Sequence, residues 1–195
     1  MIDDLPLMPL GNVLFPEGAL DLRLFEPRYL DLASAALRDG APFGICLIAQ
    51  GHEVGAPATP QPFGTLAQIV HWDMVELGIL EVRVVGGDRF RLLSHRVASN
   101  GLVCGQVETI APPPVQPIPS EYARLVPLLR VVIDDMGEKA PPKPHRFFDA
   151  FWLGCRWSEV LPIPPLARLK LLELNDALVR LEVIQRFLEE KGVLR

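Results

Sequence analysis

Cysteine is scarce in this chain of 195 residues: Cys46, Cys104 and Cys155 are the only three, and none has the CxxC spacing of a redox or zinc site. Cys46 and Cys104 lie in apolar, strand-like segments, so they read as buried free thiols. A GxxxxGK[ST] phosphate loop is absent, and Gly86-Gly87-Asp88 and Gly137-Glu138-Lys139 lack the spacing to cradle phosphate. His52, His71, His95 and His145 are scattered without ligand spacing, so no metal or other cofactor is expected. His71-Trp72-Asp73 does not alter this, because neighbours on a strand point to opposite faces. No apolar run approaches the roughly 18 residues that span a bilayer. Met1-Ile2-Asp3-Asp4 carries acids where a signal peptide needs positive charge, so a cytoplasmic protein without a membrane segment is expected. Lysine is missing from the first 110 residues, which hold seven arginines against thirteen acids, a balance of −6, while residues 111–195 balance at +1. A region so acidic repels phosphates, which argues against a nucleic-acid partner.

What is present is aliphatic and punctuated. With 49% hydrophobic and 22% charged residues the composition is that of a globular protein. The length suits one sizeable domain or two small ones, burying about 70% of the unfolded surface. Residues 1–110 read as β, with apolar stretches at 5–10, 20–25, 43–49, 65–70, 79–85, 90–97 and 102–110. In Leu80-Glu81-Val82-Arg83-Val84 apolar and charged residues alternate as a half-buried strand requires. Gly86-Gly87 is expected to form a hairpin turn between two such strands, and Asn100-Gly101 another. Many short strands favour a closed or nearly closed barrel. One helix interrupts them, with Glu26 and Pro27 at its start, Leu30, Ala33 and Leu37 along one face, and Gly40 after its last turn.

The 20 prolines are about twice the usual share, and their positions explain them. Residues 111–119 carry five of them, which favours a stiff linker between a β-rich domain, 1–110, and a helical one, 120–195. After Ser120 a helix is expected over Tyr122–Met136, bent near Pro127, and then an aromatic helix containing Phe147, Phe148, Phe151 and Trp152. Two more follow at 166–174 and 176–191, the second capped by Asn175. Ala177, Leu181, Ile184 and Leu188 share one face of the last helix and read as the core of a small bundle.

Six fragments now acquire a common meaning: Leu5-Pro6-Leu7, Leu14-Phe15-Pro16, Phe25-Glu26-Pro27-Arg28-Tyr29, Phe43-Gly44, Gly64-Thr65-Leu66-Ala67-Gln68-Ile69 and Gly87-Asp88-Arg89-Phe90-Arg91. In this order they resemble the N-terminal substrate-binding domain of the Lon proteases. Trp157-Ser158-Glu159-Val160-Leu161-Pro162, Leu169–Leu174 and Arg180-Leu181 resemble that family's second conserved stretch, so the likeness spans nearly the full chain. The resemblance implies an α+β fold: a PUA-like mixed β-barrel with one inserted helix, followed by an all-α helical bundle. The ATPase and serine–lysine protease modules of the full enzyme have no counterpart here. The loop 55–62 and the Leu77-Gly78-Ile79 turn depart from typical relatives, so specificity carried by loops does not transfer.

The implied role is a non-enzymatic, proteolysis-related module that binds proteins or unfolded peptide segments. Capture is expected in a groove between barrel and bundle, or by strand addition at an exposed edge. Met8, Pro9, Phe15, Pro16, Phe43 and Trp72 are the candidate binding residues, although the same residue types also fill cores. Glu26, Arg28, Tyr29, Gly64, Arg89 and Phe90 read instead as determinants of the fold. Arg28 is expected to lock the helix onto the barrel, and Arg89 and Arg91 to flank an inward Phe90 from the outer face. A catalytic role for Glu26 lacks a partner acid, base or nucleophile, so no catalytic residue is assigned. Two alternatives stand beside this: an adaptor docking one fixed partner, as in cereblon-type proteins, and an RNA-binding PUA-like protein, which the charge disfavours.

Overall fold

The computed structural model describes residues 1–194, and the chain divides into two compact units, Met1–Ala111 and Pro112 onward. The first holds six strands and one helix: β1 (Ile2–Leu10), β2 (Ala19–Leu24), α1 (Pro27–Asp39), β3 (Phe43–Gln50), β4 (Thr59–Glu76), β5 (Ile79–Val97) and β6 (Val103–Ile110). The sheet runs β2-β5-β4-β3-β1-β6, mixed through the parallel β1–β3 pair, and an additional β5–β6 pairing closes it on itself. Two apolar clusters fill the interior. One gathers Met8, Leu14, Leu32, Phe43, Ile45, Val82 and Val84, the other Leu7, Cys46, Phe90, Val103 and Val107.

Closure depends on the length of β5. Its 19 residues form one strand in which residues 80–85 pair with β2 and residues 89–97 with β6. The hairpin turn expected at Gly86-Gly87 is therefore not there. Gly86 lies mid-strand because a side chain has no room: a Cβ would stand 2.1 Å from the carbonyl oxygen of Phe15. The two backbones meet directly, Glu17 N–H donating to Gly86 O at 2.7 Å and Gly86 N–H to Gly18 O at 2.9 Å. Gly64 sits inside β4 for a similar reason, since a Cβ would approach Ile45 O at 2.5 Å and Phe90 Cζ at 2.6 Å. Glycine within a strand marks a close approach as readily as a turn. The turns fall at Leu77-Gly78, between β4 and β5, and at Asn100-Gly101, between β5 and β6.

The second unit is helical: a short 3₁₀ turn (Ser120–Tyr122), α2 (Leu125–Asp135), another 3₁₀ turn (Gly137–Lys139), α3 (Ala150–Val160), α4 (Pro165–Glu173) and α5 (Ala177–Glu190). Pro127 falls in the first turn of α2, where a missing N–H costs nothing. Every residue of α3 from Ala150 to Ser158 is buried, Arg156 and Ser158 included, and it packs against α2, α4 and α5. It starts later than expected. Asp149 caps it by accepting from Phe151 N–H at 3.1 Å, leaving Phe147 and Phe148 ahead of the first turn. Asp176, not Asn175, caps α5, its carboxylate taking the N–H groups of Leu178 and Val179.

Arg180 is wholly buried on α5 and acts on its neighbour. Its Nε donates to Leu171 O at 2.9 Å, Nη2 donates to Leu174 O, and Cζ stands 4.9 Å from the Phe151 ring centre. One side chain thus satisfies carbonyls at the C-terminal end of α4, where helices leave acceptors unpaired and favour a cation.

Candidate functional site

Three strands of the first unit, β2, β5 and β4, make a sheet whose outer strands each have an unpaired side, the longer of the two on β4. β5 is flanked by β2, from Ala19↔Val85 to Leu24↔Leu80, and by β4, through His71↔Arg83, Trp72↔Val82, Asp73↔Glu81 and Met74↔Leu80. The ladder between β4 and β3 ends at Phe43↔Ala67, so among the described residues β4 from Gln68 to Glu76 is paired on its β5 side alone. Its other side presents a row of open backbone donors and acceptors, the template on which an extended chain adds as a further strand.

The two faces of this sheet differ because residues directly opposite across an antiparallel pair share a face. Trp72 and Met74 lie on the face of Leu22, Leu24, Leu80 and Val82. The β5 members are buried, whereas Trp72 is 52% exposed, so apolar surface runs outward from the core to the free margin. Val70, Met74 and Val75 are also exposed, and Leu77 at the tip is 98% exposed. His71, Asp73, Glu81 and Arg83 take the other face, where Arg83 pairs with Asp21 at 3.1 Å. Asp73 stands directly opposite Glu81 there. Register shifts between Ile69 and His71 and between Met74 and Glu76 confine the regular stretch to His71–Met74.

Of the six candidate binding residues, Trp72 alone is at the surface. Met8, Pro9, Phe15, Pro16 and Phe43 are buried, with Met8 and Phe43 joined in the cluster beneath α1. Met8 also lines a cleft of 270 Å³ with Leu22, Phe25, Tyr29 and Glu53. This cleft and two others of 240 and 280 Å³ fall short of the ~300 Å³ at which small-molecule pockets begin. Sequence reasoning missed Val70, Met74, Val75 and Leu77. The signal was there: from Ile69 to Leu77 apolar residues occupy both parities of the strand, which alternation on a half-buried sheet does not produce.

Arg28 donates through Nη1 to Gly101 O at 3.2 Å, in the turn before β6, and its Nη2 meets Glu26 Oε2 at 2.9 Å. The same Glu26 oxygen accepts from Gly55 N–H at 3.3 Å, and the guanidinium lies 4.8 Å from the Tyr29 ring centre. Burial pushes the Tyr29 hydroxyl pKa up against the opposing pull of Arg28. These contacts tie α1 to two loops. Phe90 is buried, and so is Arg89, which lies beside the Phe63 ring and not on an outer face; Arg91 is the exposed member. Among the described residues no three acidic, histidine or cysteine side chains are grouped to hold a metal, and no helix is long and apolar enough to cross a membrane.

The family model of the ATP-dependent protease La (LON) substrate-binding domain matches residues 4–190. Among solved structures, a Lon N-terminal domain protein from Xanthomonas campestris is similar at 36% identity and a TM-score of 0.78, over 95% of this chain and 98% of that one. The N-terminal domain of a Mycobacterium avium complex Lon protease shares the fold, with a TM-score of 0.64 at 16% identity over 93% of this chain and 95% of that one. No curated protein matches the chain.

Proposed function

Because the chain belongs to the Lon substrate-binding domain family, we propose that it is a non-enzymatic, cytoplasmic module that captures apolar or unfolded polypeptide segments on the free margin of β4. The unpaired run from Gln68 to Glu76, flanked by exposed Trp72 and Met74, is the observation that carries this reading. Main-chain hydrogen bonds would supply affinity whatever the sequence of the segment, and Trp72 and Met74 would favour apolar side chains at alternate positions. Met8, Pro9, Phe15, Pro16 and Phe43 support this role from behind, by holding the closed sheet from which the margin projects.

The test is a fluorescence-anisotropy titration of labelled unfolded model peptides against the wild-type chain and Trp72→Ala. Saturable binding by the wild type, weakened about tenfold or more in Trp72→Ala, is expected, since an interface aromatic contributes about 2 kcal/mol or more when it is a hot spot. Absence of saturable binding to any peptide pool would remove the reading. Recovery of a single stoichiometric partner in a crosslinking pull-down would favour an adaptor instead.

A further inference from the structure

The free margin of β4 has a property that capture of arbitrary clients does not require: it is complementary to itself. Two copies of one strand can pair antiparallel about a two-fold axis only if the axis stands perpendicular to the sheet, because that rotation keeps each face on its own side. Residues directly opposite must share a face, so the axis passes through a residue that meets its own copy. Within the exposed run only a few centres exist, and they are not equivalent. Centring on Asp73 sets carboxylate against carboxylate. Centring on His71 or on Met74 pairs residues across a register shift, where alternation breaks. Centring on Val70 puts the axis on the shift itself. Centring on Trp72 keeps the contact within the regular stretch and sets Trp72 against Trp72, and His71 against Asp73 on both sides of the axis.

We propose that β4 is the interface of a homodimer in which two copies pair antiparallel about Trp72. The Trp72 pair lies on the face of Leu80 and Val82 and continues the hydrophobic surface of each copy. The polar pairs lie on the opposite face, where Asp73 otherwise confronts Glu81 within its own chain. The His71 imidazole of one copy supplies the donor that Asp73 of the other lacks there. The register shifts on either side of His71–Met74 end the ladder after a few residues, so the contact closes at two copies and does not propagate into a fibre. An interface this short falls below the roughly 1,000 Å² of a permanent dimer, so the association is reversible, with dissociation in the micromolar range.

The test requires no peptide, so its failure and that of client capture are distinguishable. Sedimentation velocity of the full chain over roughly 1 μM to 1 mM is expected to show a monomer–dimer equilibrium. His71→Asp opposes two like-charge pairs and should weaken it about tenfold. The double exchange His71→Asp with Asp73→His restores the pairing and should recover the dimer. Disulfide trapping fixes the register. Trp72→Cys should crosslink to itself under mild oxidant, Asp73→Cys alone should not, and a mixture of His71→Cys with Asp73→Cys should; the native cysteines are buried. A chain that stays monomeric throughout with Trp72→Cys uncrosslinked would overturn the proposal. So would Asp73→Cys crosslinking as readily as Trp72→Cys, or a double exchange no tighter than His71→Asp.

Discussion

Replacing Arg180 with methionine tests the account of the second unit most directly, because the loss can be worked from geometry. Methionine retains much of the side-chain stem but removes two charge-assisted donors, one to the buried Leu171 carbonyl and one to that of half-buried Leu174. Loss of the donor to the buried Leu171 carbonyl costs about 1–3 kcal/mol, and loss of the one at Leu174 less. Loss of the cation at the end of α4 adds about 0.3–1 kcal/mol, and loss of the contact with the Phe151 ring adds about 0.5–2 kcal/mol. One guanidinium nitrogen, Nη1, is buried without a hydrogen bond, so its removal relieves a desolvation cost and moves the sum to the lower end. A loss of about 3 kcal/mol is expected, a large part of the 5–15 kcal/mol typical of a whole domain.

Urea denaturation followed by tryptophan fluorescence reads this unit selectively. Trp152 and Trp157 are both buried in α3, whereas Trp72 is already half exposed when folded. With a slope of about 1–2 kcal/mol/M, the midpoint should fall by roughly 2 M. Arg180→Lys, whose single ammonium cannot fork to both carbonyls as the guanidinium does, should lie between. A midpoint for Arg180→Met equal to wild type would refute the argument that this side chain completes α4.

Gly86→Ala should lower the melting temperature of the first unit, since the new methyl meets backbone at Phe15 and not a side chain that could turn away; about 2 kcal/mol or more is expected, measured by circular dichroism. Burial alone pushes the Cys46 thiol up to about 12 from an ordinary 9.0. The unfolded chain therefore releases this proton first, so stability is unaffected below pH ~9 and falls above it by up to about 1.4 kcal/mol per pH unit until the native thiol itself ionises. Denaturant titrations at successive pH values should show this loss in the wild type and a shallower one in Cys46→Ala. Equal slopes would mean that the thiol is not held protonated in the core.

Where alternation coincides with burial, β5 was legible in advance around Leu80-Glu81-Val82; α1 was legible from Pro27 and Gly40 at its ends, although its buried face is Tyr29, Leu32 and Ala33 and the expected Leu37 is exposed. Glycine was ambiguous because one residue type serves two needs. Gly86 and Gly64 permit backbones and rings to meet across strands, and that requirement is visible only once Phe15 and Phe90 have positions. Caps were displaced by a residue for a related reason, since Asn175 and Asp176 both suit the role and the path of the chain decides. The binding candidates were chosen for residue type, and type does not separate a core methionine such as Met8 from an exposed one such as Met74. Trp72 was a candidate by type, and its exposure is a matter of the fold. The open side of β4 was not, because it depends on where the β3 ladder stops.

The division of labour within β5 makes the reach of the projecting sheet adjustable. Its half beyond Gly86 is bound into the closed ring, while its first half and β4 meet at Leu77-Gly78 outside it. Residues added at that tip as matched pairs, two on each strand, would lengthen the exposed margin by whole pleats and keep every existing side chain on its face. The ring would be unaffected. Length and inscription of this margin can therefore vary between relatives as independent parameters, like the teeth of a key cut on a common bow.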